Sequence, residues 1–435
     1  MSEVGAVDPT TGRPGKEYPI LWWTTWFWRH QFEGRVVDFC GLPYTCRMTH
    51  DRSVYKDTST VIFHASMFEL DTKDTPPLED AVLPKKAWIV ITEEAPKDFQ
   101  QDPRWTNVFT HLWSYHLTAD FVQTYFTGGR APYSYLWSIM KKPAFTIEEK
   151  NQRRREGLAP VAWIASNCKS LNHRQYYVKQ LQKFIDVDVY GKCLKNKEWP
   201  KNPDGTELDT YEVVAPYKFY LAIENSNCDD YVTEKLERPF ALGVVPIVDG
   251  PKDYSPFIPT RNSVIKEDDF ASPAHLARYL HKLDNDDAAY MRHLSFKYPN
   301  STDAKTWEHL SPKLREVYDT GDGADDWGND SRGSECKICK FTHDLAEGFT
   351  KLDPKHRLPI DRTCQIDKWG KTSWALDFWS SYILLALAVL SLLVTLVNRR
   401  ARGALLRYAG VMISRVQNIR GSHVDEVKEP FIPRS

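Results

Sequence analysis

Short, uninterrupted apolar runs alternate with polar stretches through most of the chain, the pattern of buried parallel strands separated by helices and loops. Tyr18-Pro-Ile-Leu-Trp-Trp, Thr60-Val-Ile-Phe-His-Ala and Ala87-Trp-Ile-Val-Ile-Thr have strand length and place a first α/β unit over residues 18–140. Residues 1–17, rich in Gly, Pro, Thr and Glu and without periodicity, read as a disordered leader. Residues 141–160 contain two prolines and a charge-dense middle, and read as a linker. A second unit, 161–310, opens with the strand-like Val161-Ala-Trp-Ile-Ala. From Arg174 to Phe184, Tyr177, Leu181 and Phe184 recur at helical spacing, and Ile185-Asp-Val-Asp-Val-Tyr then alternates as a strand does. Strand, helix and strand in series predict a second α/β unit with parallel strands.

The pattern is clearest from Tyr217 to Val248. Tyr217 to Glu224 has strand composition, Asn225 to Asp229 is polar, Tyr231 to Leu242 is helical until Gly243, and Val244 to Val248 is the next strand. Pro273 to Leu283 and Asp286 to Lys297 predict closing helices, and 311–377 forms an extension with an acidic, Gly-rich loop at 319–335. Phe378 to Val397 are uncharged and apolar all round, and at ~1.5 Å per residue they predict a transmembrane helix of about 30 Å. A basic tail, 398–435, follows with no acid before Asp425, so the positive-inside rule puts it in the cytosol and residues 1–377 in the lumen. The N-terminus has no basic and apolar signal pattern. That conflict leaves three routes open: a start further upstream, an atypical signal, or a tail-anchored enzyme facing the cytosol.

A formal charge of −1 gives no electrostatic footprint for nucleic acid, so that partner class is excluded. Aromatic residues make up 13% of the chain, a content that suits clefts stacking on flat or apolar ligand faces. The cysteine count is even, with Cys40 near Cys46, a C-x-x-C at Cys336 and Cys339, and four more dispersed. In a membrane-anchored chain this fits disulfides in an oxidising lumen; a zinc site is the rival, disfavoured by the spacing of the first pair. Asn300 and Asn329 head acceptor sequons.

Chemistry concentrates in the 217–248 unit. A strand, a polar loop and a helix N-terminus present free N–H groups and a positive dipole end to phosphate. Asp230 is a candidate N-cap, with Tyr231, Glu234 and Lys235 on one face of the first turns. A nucleotide-diphosphate leaving group gathers negative charge, which Lys235 and Arg174 are suited to neutralise. Glu234 suits ribose or sugar hydroxyls, and Tyr231 a base or phosphate. Taken alone, a Glu-Lys pair on a helix is more often a solvated surface pair.

The run Phe219-Tyr-Leu-Ala-Ile-Glu-Asn-Ser-Asn-Cys-Asp-Asp-Tyr-Val-Thr-Glu-Lys-Leu-Glu-Arg-Pro-Phe closely resembles the donor motif of the α1,3-fucosyltransferase family, glycosyltransferase family 10. Ser166-Asn-Cys-Lys-Ser-Leu-Asn-His-Arg174 is similar to the family's phosphate-binding loop, and the TEKLxRP form is most like the branch that includes protein O-fucosyltransferases. The resemblance implies an α/β fold of two Rossmann-like domains facing a cleft (GT-B), with 18–140 the acceptor-side domain and 161–310 the GDP-fucose-binding one, GDP-fucose as donor, inversion at the anomeric carbon, and no obligatory metal or other cofactor. It carries Arg174, Glu224, Asn225, Tyr231, Glu234 and Lys235 over as donor-binding positions. It also makes Glu94, in Glu94-Ala-Pro96, the base, with Glu93 as fallback. It implies that Cys336 and Cys339 bridge back to Cys40 and Cys46. Asp186-Val-Asp188 alternates as a strand does and is not read as a metal site.

The expected reaction is transfer of L-fucose to a glycan hydroxyl, an α1,3 linkage to GlcNAc of a glycoprotein or glycolipid, at the Golgi membrane or alternatively the ER membrane. The alternatives are protein O-fucosylation on Ser or Thr, and a catalytically silent sugar-nucleotide-binding membrane protein. Tyr115-His-Leu-Thr-Ala-Asp120 departs from the family's usual Tyr-Arg-Arg-Asp-Ser-Asp run, which points to altered acceptor recognition. The C-terminal anchor and Glu237, where an aromatic is common, also depart from the pattern.

Overall fold

The computed structural model describes residues 15–26, 28–68, 75–77, 86–95, 108–126, 139–298, 310–314 and 331–353, together with 356, 358, 364 and 368. The apolar runs of the first unit form seven strands: β1 (Glu17–Trp22), β2 (Val36–Val37), β3 (Thr45–Thr49), β4 (Thr60–His64), β5 (Ala87–Thr92), β6 (His111–Ser114) and β7 (Phe121–Val122). They make one sheet in the order β2-β3-β1-β4-β5-β6-β7, parallel except for the short β2. Alternate side chains of β5 go to opposite faces: Ile89 and Ile91 join one core with Ile20, Trp22 and Met48, while Trp88 and Val90 join another with Leu21, Val61 and Phe63. Burial on both faces is why these strands read as unbroken apolar runs.

The second sheet has strands β8 (Val161–Ala165), β9 (Val187–Gly191), β10 (Phe219–Ile223), β11 (Val245–Asp249) and β12 (Ile265–Lys266), all parallel, in the order β12-β11-β10-β8-β9. Its helices are α1 (Ile147–Arg155), α2 (Arg174–Leu181), α3 (Thr210–Val214), α4 (Glu234–Leu242), α5 (Pro273–Asp284) and α6 (Asp287–Arg292). Helix α1 lies in the stretch read as a linker and starts at a capping box made by Thr146 and Glu149. Its buried Lys150 donates to the carbonyls of Ala215 (2.8 Å) and Tyr217 (2.6 Å), which seats it on the second unit. Each sheet has a point where strand order reverses, between β1 and β4 in the first and between β8 and β10 in the second. Ligands of open α/β sheets bind in the crevice that such a reversal opens at the carboxyl ends of the strands.

A long helix from the C-terminal extension, α7 (Ser331–Ala346), returns to the first sheet. Ile338 is fully buried there, Glu335 pairs with Arg35 at 2.9 Å, and Thr342 Oγ1 donates to Thr60 Oγ1 at 2.9 Å. Disulfides Cys40–Cys336 and Cys46–Cys339 fasten it, so the C-x-x-C is bonded as the family resemblance implies and holds no zinc.

Two expectations change. The helix of the donor motif starts at Glu234 rather than Tyr231, because Thr233 is the cap. The fold class is corrected to α/β with no membrane helix shown: among the described residues no helix is long and apolar enough to cross a membrane. The segment 378–397 itself, the basic tail, Asn300 and Asn329 lie outside the described residues.

Each disulfide on α7 closes a loop of nearly 300 residues in the unfolded chain, with separations of 296 and 293. Replacing Cys46 and Cys339 by Ser is expected to cost about 2–5 kcal/mol, measured as a lower denaturant midpoint, with faster amide exchange confined first to α7.

Candidate functional site

At the switch point of the second sheet, the loops after β8 and β10 come together. Glu224 follows β10 directly and is almost completely buried. Its Oε1 accepts from the Thr233 backbone N–H and from Thr233 Oγ1, both at 2.9 Å, and Lys235 Nζ lies 3.2 Å from Oε2. Burial lifts the Glu224 carboxyl above its ordinary range, with Lys235 pulling the other way. Burial by itself would lower Lys235, but Glu224 and Glu234 hold it above its ordinary value, so it stays an ammonium. Glu234, half-exposed, lies 3.3 Å from the same Nζ, and despite desolvation Lys235 and Arg238 keep it ionised. The three residues put a fixed cation at the first turn of α4. A Cβ at Gly250 would come within 2.6 Å of the Tyr254 hydroxyl and 3.1 Å of Glu224 Cγ, so glycine there leaves room for the carboxylate.

Arg174 begins α2 after His173, whose φ of 55° turns the chain sharply. Its guanidinium is buried, donates to the Ile223 carbonyl and lies 5.8 Å from the Trp163 ring, while Nε has no partner among the described residues. Asn225 likewise carries a buried Oδ1 without a partner among the described residues. Beneath them Asn172 Nδ2 donates to the Glu224 carbonyl (2.9 Å) and to Asn227 Oδ1 (2.7 Å), and Asn227 donates on to Asp249 (2.5 Å). Disulfide Cys168–Cys193 ties the β8 loop to the end of β9.

Asp249, Glu267 and Asp268 form the one carboxylate trio with metal-ligand spacing among the described residues. The Lys368 ammonium already sits in it, at 2.7, 3.0 and 2.6 Å. Four residues earlier, Cys364 is bonded to Cys228 of the β10 loop.

The first sheet reaches this site through the end of β5. Tyr231 donates to Glu94 Oε2 across the two units at 3.4 Å. Burial and the Glu94 charge raise the Tyr231 phenol well above its ordinary value, which keeps it a donor. Glu93 lies alongside, accepting from Gln123 at 2.9 Å; burial and the neighbouring Glu94 push it up to about 7. Tyr125 donates to the Glu93 carbonyl and packs edge-on against Tyr231. Asp230, expected as N-cap, does different work. With φ at 58°, it accepts from the Leu117 N–H at 3.0 Å and faces His116 Nδ1 at 3.2 Å, locking the β10 loop onto the loop after β6.

The structure thus gathers Arg174, Glu224, Asn225, Tyr231, Glu234 and Lys235 around one loop, with Glu94 at its edge. Sequence reasoning missed Thr233, Asp230 as an interlobe contact, the Cys228–Cys364 bond and Lys368. Thr233 alone carried a readable signal, as a threonine directly before the Glu-Lys of a helix.

Two family models match the chain: "Fucosyltransferase, N-terminal" over residues 15–126 and "Glycosyltransferase family 10 (fucosyltransferase) C-term" over residues 152–347. The chain belongs to glycosyltransferase family 10. Within that family it is similar to GDP-fucose protein O-fucosyltransferase 3 from Xenopus tropicalis, 33% identical over 74% of this chain and 66% of the relative. The proteins of the same name from Canis lupus familiaris and Homo sapiens are both 34% identical, over 64% of this chain and 57% of theirs. The chain therefore spans between about half and two thirds of the length of these curated family 10 relatives. Among solved structures, an α1,3-fucosyltransferase with GDP aligns over 81% of this chain and 96% of its own, at 16% identity and a TM-score of 0.45, a likeness too distant to carry an argument.

Thr233→Ala removes both the cap of α4 and the hydroxyl's contact with a buried carboxylate, leaving the backbone N–H bond in place. The expected loss is about 1–3 kcal/mol, read as a lower urea midpoint at unchanged slope.

Proposed function

We propose that this family 10 chain is an inverting fucosyltransferase that moves L-fucose from GDP-fucose onto a Ser or Thr hydroxyl of a protein. The observation that carries the reading is the 3.4 Å contact of Glu94 with Tyr231, which sets a carboxylate from the first sheet at the edge of the cation-bearing loop of the second. The relatives' names favour a protein acceptor over the glycan acceptor expected from the sequence.

In this reading Glu94 takes the proton of the acceptor hydroxyl as its oxygen bonds to the anomeric carbon, and the bond from that carbon to the β-phosphate oxygen breaks. The negative charge that collects on the diphosphate meets Lys235, the Nε–H of Arg174 and the N-terminus of α4. Glu234, at the rim, is placed for donor hydroxyls, and Asn225 for a hydrogen bond through its Oδ1. Direct displacement from the opposite face inverts the anomeric centre. All eight cysteines are bonded in pairs, which supports an oxidising, lumenal setting for the enzyme.

The test is GDP release from GDP-fucose in the presence of folded, Ser/Thr-bearing secreted domains or of N-acetyllactosamine, with mass analysis of the products. No release with either acceptor class overturns the reading. Glu94→Gln is expected to lower kcat by about 10²–10⁴-fold. Glu93 holds a proton below about pH 7 and ionises above it, adding a negative charge beside the place where the acceptor hydroxyl loses its proton. The rate is therefore expected to rise through pH 7, and that inflection to vanish in Glu93→Gln.

A further inference from the structure

Behind the donor loop runs a buried hydrogen-bonded chain whose far end takes no part in the transfer step. It starts at the Lys368 ammonium, which lies 2.7 Å from Asp249 Oδ1 at the carboxyl end of β11 and 3.0 Å from Glu267 just after β12. Asn227 Nδ2 donates to the same Asp249 oxygen at 2.5 Å. Asn227 Oδ1 in turn accepts from Asn172, whose amide also holds the Glu224 carbonyl, and Asn172 Oδ1 accepts from the Arg174 backbone N–H at 3.3 Å. Every residue from Asp249 to Arg174 along this chain is at most 5% exposed, so bulk water cannot replace a lost partner. A covalent bond brings Lys368 to its place: Cys364, four residues earlier, is joined to Cys228, the residue after Asn227. One short segment thus grips the donor loop twice, through sulfur and through charge.

The site needs that charge. Asp249 and Glu267 are both buried, and an oxygen of each lies within 4.8 Å of the other. Two carboxylates so close cannot both stay ionised out of water without a cation between them. Burial pushes Glu267 up to about 7 even with the ammonium pulling the other way, while Lys368, which burial would lower, is held above its ordinary value by Asp249 and Glu267. The pair also faces Tyr177, one turn into α2 from Arg174, whose phenol is raised by burial and then by these two charges. Without the ammonium, the carboxylates must bind a proton or move apart. Either change loosens Asn227, and with it the Asn172 side chain that sets the start of α2.

We propose that Lys368 is a positioning residue for the donor: it acts through Asp249, Asn227 and Asn172 to hold Arg174 and the Glu224–Asn225 turn against the nucleotide diphosphate, without touching the donor itself. The proposal rests on the fucosyl-transfer reading above. Its effect is one-sided, because the chain of bonds ends at the groups assigned to the diphosphate and does not lead to Glu94 on the first sheet.

The test uses the full chain, titrated with GDP by calorimetry and assayed with GDP-fucose on an acceptor that it modifies. Lys368→Met is expected to weaken GDP binding and raise the KM for GDP-fucose at least tenfold, with the acceptor KM within twofold. Lys368→Arg, which keeps the charge, should recover most of the donor affinity. Asn227→Ala leaves the ion cluster whole and is expected to raise the donor KM likewise; in the double variant the two effects should not add, since both break one chain. A merely structural anchor would lower the yield of folded enzyme at unchanged KM values. An unchanged donor KM in Lys368→Met overturns the positioning role while leaving fucosyl transfer standing, as do additive effects in the double variant. Should Lys368→Met not fold, an unchanged donor KM in Asn227→Ala overturns it. No GDP binding and no GDP release by the unmodified chain overturn the fucosyl-transfer reading, and this inference with it.

Discussion

The site depends on how one carboxylate survives burial. Glu224 lies under the donor loop with almost no solvent contact, where an uncompensated charge would cost several kcal/mol. Three groups offset that cost: the backbone N–H of Thr233, its hydroxyl and the Lys235 ammonium. Each of those partners is thereby fixed. The end of β10 is locked to the first turn of α4, the helix N-terminus is aimed into the switch-point crevice, and Lys235 is held where its charge has no freedom to wander. The cation is preorganised by an anion behind it, so little reorganisation remains when negative charge develops in front.

The same loop reaches the other sheet. Asp230 adopts a left-handed backbone conformation because its carboxylate is claimed by Leu117 and His116. That turn delivers the next residue, Tyr231, to Glu94. The position of the acid and the position of the cation are two consequences of one loop geometry.

The strands were legible because both sheets are covered on both faces, so their runs are continuously apolar; Trp88 and Ile89 of β5 serve opposite cores yet look alike in sequence. The residues of the donor motif were legible because they lie within one short run. The helix start was not. Asp230 and Thr233 are both good caps by composition, and Asp230 is drawn away by partners more than a hundred positions earlier in the chain, which no local pattern contains. Lys368 and the Cys228–Cys364 bond escaped for the same reason, being isolated residues whose meaning is supplied by distant chain.

The disulfides have a consequence for the covalent connectivity of the two units. Helix α7 is bonded to the first sheet at Cys40 and Cys46, and further along the same segment Cys364 is bonded to the donor loop at Cys228. The chain therefore passes between the units three times, through residues 126–160, 314–331 and 339–364. A single cut in any one crossing leaves the molecule in one piece. Only 25 positions separate Cys339 from Cys364, so the third crossing is a strap of bounded length, and it limits how far the two walls of the cleft can part.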